Sequence, residues 1–140
     1  MTTDTLSRPE DAPPGLHIAL WIVQILLFVG FAMAGVLKST TPLDQLALKM
    51  PWVNAMPGWL VRFIGISELA GALGMVLPPL SRVKPGLTAL AGVGLAVVMV
   101  LAAGAHISRG EFGALPVNAL LGGLAAFVAW GRGRKVPFRS

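Results

Sequence analysis

The chain has 140 residues, of which 55% are hydrophobic and 12% charged, and its mean hydropathy is +0.76. Soluble domains carry about 25% charged residues, so these few charges cannot coat a water-soluble surface, and lipid must cover much of it. The chain contains no cysteine, which excludes disulfides, thiolate metal sites and thiol redox chemistry of its own. The net charge of +5 lies largely beside apolar segments and not in a groove-reading motif, which favours a membrane over nucleic acid as partner.

Residues 1–15 are polar and Pro-rich (Pro9, Pro13, Pro14) and read as a disordered tail. Leu16 to Leu37 then runs without a charge. At about 1.5 Å per residue it spans about 33 Å, enough for a hydrocarbon core of about 30 Å. Ala32 and Ala34 offer a small-x-small cleavage pattern. The tail before the run is net acidic, however (Asp4, Glu10 and Asp11 against Arg8), and the run is too long for a signal core. Residues 38–58 form a connector broken by Pro42, Pro51 and Pro57. Leu43, Leu46, Ala47 and Met50 recur in it at helical spacing, as in a short helix lying in the interface.

Leu60 to Leu77 is the second expected span, with Pro78 and Pro79 ending it. A basic turn over 78–86 leads to the third span, Leu87 to Ala105. The loop from His106 to Ala114 precedes the fourth, Leu115 to Trp130, with Pro116 in its first turn. That span is short, and tilt or local thinning is expected to absorb the mismatch. Residues 131–140 form a basic tail. The fold class is therefore an all-α membrane bundle of four transmembrane helices, because open strands leave unsatisfied edges in lipid.

Lys and Arg counts set an orientation. Arg8, Arg82, Lys84, Arg132, Arg134, Lys135 and Arg139 share one side, against Lys38, Lys49, Arg62 and Arg109 on the other. Both termini are thus expected to be cytoplasmic. Trp52, Trp59 and Trp130 fall near the interfaces. Small residues at four-residue spacing are expected to let helices approach: Gly30 and Ala34, Ser67 and Gly71, Ala70 and Gly74, Ala119 and Gly123.

Glu68 is the sharpest polar feature. It lies eight residues inside its span, about 12 Å below the mouth, where an acidic group costs at least about 2.5 kcal/mol. It is expected to face the bundle interior, be paired, or be protonated. One reading makes it a ligand or proton-relay group, and the other makes it structural glue. Arg62 is six residues away, about 240° around the helix, and faces elsewhere. A partner must come from another span. Lys38, His106 and Asn118 all end or start spans at the same mouth, near Arg109 and Glu111. Lys38 and Arg62 have a plainer alternative, snorkelling to head groups. A metal site is not expected, since His17 falls at the opposite end and too few ligands remain.

With these residues in place, the sequence resembles the DoxX-like family of small bacterial membrane proteins. The resemblance rests on Gly35 and Lys38 closing the first span, and on RFIGISELAGALGMVLP from Arg62 to Pro78, with Gly65, Glu68, Gly71 and Gly74. His106 and Asn118 add to it. It implies a non-catalytic or quinone-linked subunit of a membrane redox or oxidative-stress system in a bacterial inner membrane. Quinone would be the cofactor and another membrane or redox protein the partner. Without cysteine, nothing that thiols do in relatives carries over. The alternative is a bundle that binds or stabilises a partner and has no redox role.

Overall fold

A computed structural model describes residues 14–81, 84 and 86–137. Most of the expected amino-terminal tail lies outside them, as do Arg8, Arg82 and Arg139. Helix α1 is Pro14–Thr40, α2 Leu43–Lys49, α3 Gly58–Ser81, α4 Leu87–Ser108 and α5 Leu115–Trp130. A 3-10 segment, Pro51–Ala55, follows α2, another, Phe112–Ala114, precedes α5, and a wide π turn, Gly131–Lys135, extends α5.

Four helical stretches are long and apolar enough to span a membrane. The fourth runs from Phe112 to Lys135, 24 residues, or about 36 Å. Flanking 3-10 and π turns thus lengthen the last helical stretch beyond Leu115–Trp130, with Arg132, Arg134 and Lys135 in its final turn.

Each span hides one narrow stripe and shows the rest to lipid. On α1 the stripe is Leu20, Gln24, Leu27, Phe31 and Gly35, the three- and four-residue spacing of a single helix face. On α3 it is Val61, Gly65, Glu68, Ala72, Met75 and Pro78. Leu27, Phe31, Met75, Leu95 and Val128 form the central core. Ile18, Ile22, Leu26, Met33, Leu90 and Val100 stay exposed, as lipid-facing side chains do.

The helices associate chiefly as two pairs, α1 with α3 and α4 with α5, joined through α3 and α4. Apolar burial drives little association in lipid, so close backbone contact decides where helices cross. A Cβ on Gly35 would sit 2.7 Å from the Gly65 carbonyl oxygen and 2.8 Å from the Leu69 nitrogen. A Cβ on Gly92 would sit 2.8 Å from the Ala125 carbonyl oxygen. Gly71 receives Leu95, and Gly74 receives Ala91. Gly123 and Gly30 correct the expected stripes: a Cβ on either would meet nothing within 4 Å. Their faces look outward, and the α4–α5 crossing is made at Gly92 instead.

The expected stop at Pro78 and Pro79 also needs correction, since α3 continues through both to Ser81. Proline fits helical φ but removes the N–H that would bond the carbonyl four residues back. The carbonyls so released are those of Gly74 and Met75. Thr88 Oγ1 of α4 donates to the Gly74 oxygen at 2.9 Å, and Gln24 Nε2 of α1 donates to the Met75 oxygen at 2.7 Å. Neighbouring helices thus supply the donors that the prolines remove, and the helix persists.

Candidate functional site

The crossing of α1 and α3 builds the first polar site. A Cβ on Gly65 would lie 2.7 Å from the Lys38 Cβ, so bare backbone at Gly65 lets the lysine stem lie flat along α3. Its ammonium then reaches Glu68, one turn deeper, and donates to Oε1 at 2.8 Å and to Oε2 at 3.0 Å. Lys38 therefore turns inward and does not snorkel. Its side chain is 12% exposed and that of Glu68 2%. In such a pair, desolvation offsets much of the attraction, but removing one partner strands the other.

Arg62 faces away from Glu68, as its spacing requires. It donates to the carbonyl oxygens of Lys38 at 3.0 Å and Thr41 at 2.7 Å, which the end of α1 leaves without helical donors. The connector folds over this mouth. Leu46, Val53 and Val61 form a small second core packed by Leu43, Met50 and Trp52. The Trp52 ring centroid lies 5.7 Å from the Lys38 ammonium, a cation–π distance.

His106 and Asn118 make no hydrogen bond to this group. His106 Nδ1 lies 3.0 Å from Glu111 Oε2, and Arg109 Nε donates to Glu111 Oε1. The Arg109 and His106 hydrogen bonds hold the Glu111 carboxyl below its usual range. Gly110, at φ +72, turns the chain so that the Glu111 N–H bonds the His106 carbonyl at 2.8 Å. Among the described residues, the buried Asn118 Nδ2 and Ser39 Oγ have no hydrogen-bond partner. No group of three or more His, Asp or Glu among them is placed to hold a metal.

The opposite mouth, on the side expected to carry most of the Lys and Arg, holds a second polar site. Gln24 is fully buried and Arg132 is 3% exposed, so Arg132 does not belong to a solvated tail. Arg132 Nε donates to Gln24 Oε1 at 2.7 Å, while Gln24 Nε2 holds the Met75 carbonyl. Arg132 Nη1 lies 2.9 Å from His17 Nδ1 and 3.1 Å from the Val136 carbonyl. A guanidinium can only donate, so His17 Nδ1 accepts and its ring proton sits on Nε2. The Trp21 ring centroid is 5.9 Å from the guanidinium carbon. Gly131 makes room here, because a Cβ would meet Leu20 Cδ2 at 2.5 Å. Two sequence signals mark this site: the adjacent prolines, and one Gln within an otherwise apolar run.

Two shallow grooves open on the outer surface. One, of about 670 Å³, lies between α3 and α4 and includes Leu77, Pro78, Leu87, Leu90 and Gly94 in its walls. The other, of about 330 Å³, includes Val93, Val97, Leu101 and Ala126. Neither is lined by Lys38 or Glu68.

A family model described as the DoxX-like family matches residues 22–128. That stretch holds Lys38, Arg62, Glu68, His106 and Asn118, and it leaves out His17 and Arg132. No curated protein and no solved structure matches.

Proposed function

The chain belongs to the DoxX-like family, and from that premise we propose that it is a non-catalytic, multi-pass subunit that supports a partner in a bacterial cell membrane. The observation that carries this reading is the closed Lys38–Glu68 pair. Both carboxylate oxygens already accept from one ammonium, and the Glu68 side chain is 2% exposed. Glu68 then serves as the tie between α1 and α3. The partner is a membrane or redox protein that meets the lipid-facing surface, and both termini are cytoplasmic.

A second reading has one observation in its favour. The Lys38 side chain keeps 12% exposure and its ammonium lies 5.7 Å from the Trp52 ring centroid, so a quinone head group has one remaining N–H to accept from. Titrating a short-chain quinone into the purified protein while following tryptophan emission separates the two. The proposed role predicts no saturable quenching. Saturable quenching that Glu68→Gln removes in a folded variant would establish the quinone site and defeat the purely supporting role.

The orientation can be tested directly, because the chain contains no cysteine. Ser108→Cys and Ser140→Cys, made separately, are treated with an impermeant maleimide on intact cells. Ser108→Cys is expected to react, and Ser140→Cys only after lysis. The reverse pattern overturns the placement.

A further inference from the structure

We propose that the α3–α4 groove binds one phospholipid with an anionic head group, its acyl chain along the groove and its phosphate at the exposed cations around the start of α4. This rests on the chain's seat in a membrane and is independent of the role given to Lys38 and Glu68. The groove is apolar where its walls are Leu77, Pro78, Leu87 and Leu90. Its floor stays open because Gly94 carries no side chain, and a Cβ there would meet nothing within 4 Å. The Leu87 and Leu90 end is the first turn of α4.

Charge selects the head group. Lys84 is exposed three residues before Leu87, and its carbonyl accepts the Leu87 N–H at 2.9 Å. The π turn meets the same helix start from its α5 side, with Ala89 Cβ 3.6 Å from where a Gly133 Cβ would be, and Ala89 is about 200° around the helix from Leu87 of the groove. That turn sends Arg132 inward and leaves Arg134 and Lys135 exposed. Lys135 is held 5.8 Å from the Trp130 ring centroid, at the depth where interfacial tryptophans sit. The described carboxylates, Asp44, Glu68 and Glu111, all belong to the other half of the bundle. None of the described carboxylates therefore forms an ion pair with Lys84, Arg134 or Lys135. A phosphate at the head-group level supplies the counter-charge.

The test uses the delipidated full chain in detergent with added phosphatidylglycerol, phosphatidylcholine or inorganic phosphate. Native mass spectrometry is expected to show one retained phosphatidylglycerol, held about tenfold more tightly than phosphatidylcholine. Lys84→Gln with Arg134→Gln should abolish that preference. Gly94→Leu, which places a side chain in the groove where a Cβ meets nothing within 4 Å, should weaken retention of both lipids. Equal retention of the two lipids in the unaltered chain overturns the proposal, and so does a preference that survives the charge substitutions. Phosphate alone displacing the bound lipid would reduce the site to an ion site and overturn the groove's part. A dimer that Gly94→Leu dissociates would show that a second copy fills the groove instead. If the charge variant does not fold, the lipid ratio measured on the unaltered chain still decides.

Discussion

Lys38 and Glu68 join α1 to α3 through one lysine–carboxyl pair, whereas Gln24, Thr88 and Arg132 join all four spans at the other end through carbonyls and neutral acceptors. The first link is concentrated in one pair, so halving it leaves a naked ion in a medium that cannot solvate it. The second is spread over several bonds and fails by degrees. The two ends also differ in origin. One depends on a glycine that lets a lysine lie down, and the other on prolines that release carbonyls for donors on neighbouring helices.

The largest expected effect comes from splitting the ion pair. Glu68→Ala should cost about 3–5 kcal/mol of unfolding free energy in mixed micelles, with Lys38→Met similar. Lys38→Met combined with Glu68→Leu should return to near the unaltered stability, and a double variant as weak as the singles would refute a self-contained pair. Next comes Gln24→Leu, which takes a donor from Met75 and an acceptor from Arg132, at about 2–3 kcal/mol. Pro79→Ala gives Met75 a donor within its own helix, so the Gln24→Leu penalty should shrink by about 1 kcal/mol in that background. An unchanged penalty would break the link between the proline and the glutamine. Thr88→Val should cost about 1 kcal/mol, and much less once Pro78→Ala restores the bond to Gly74.

The smallest effect belongs to Glu111, outside both links. Its folded carboxyl is held below the usual value of 4.5 by Arg109 and His106. Its contribution is therefore complete above the unfolded value, and it is lost as pH falls below 4.5 through the lower folded one. Glu111→Gln should slightly flatten the acid limb of a stability–pH curve and leave the neutral region nearly unmoved. A larger change near neutral pH would mean that His106 carries more than this contact.

How much of this is legible in the sequence follows from what each residue type demands. The spans are legible because hydropathy is a property of the segment. Glu68 is legible because any carboxylate at that depth needs a partner, and Lys38 could be shortlisted by its end of the bundle. Its choice over His106 depends on the α1–α3 crossing at Gly35 and Gly65, which pairs helices distant in sequence. The second link is not legible, for a different reason. Pro78 and Pro79 read locally as a stop, and only the arrival of Gln24 and Thr88 from other helices makes continuation possible. Arg132 reads as one more tail cation until the π turn directs it inward.

Pro78 and Pro79 also bear on how the bundle comes together. Alone in a bilayer, α3 would present the Gly74 and Met75 carbonyls to hydrocarbon, each at a cost of several kcal/mol. Synthesis runs from the amino end, so α1 and its Gln24 are available when α3 enters, while Thr88 comes only with α4. Half of the debt is met at once and half stays open until the next helix docks. The prolines thus make α3 a checkpoint: it is comfortable in lipid only between the correct neighbours, and a mispaired or truncated bundle remains marked by a carbonyl with nothing to hold.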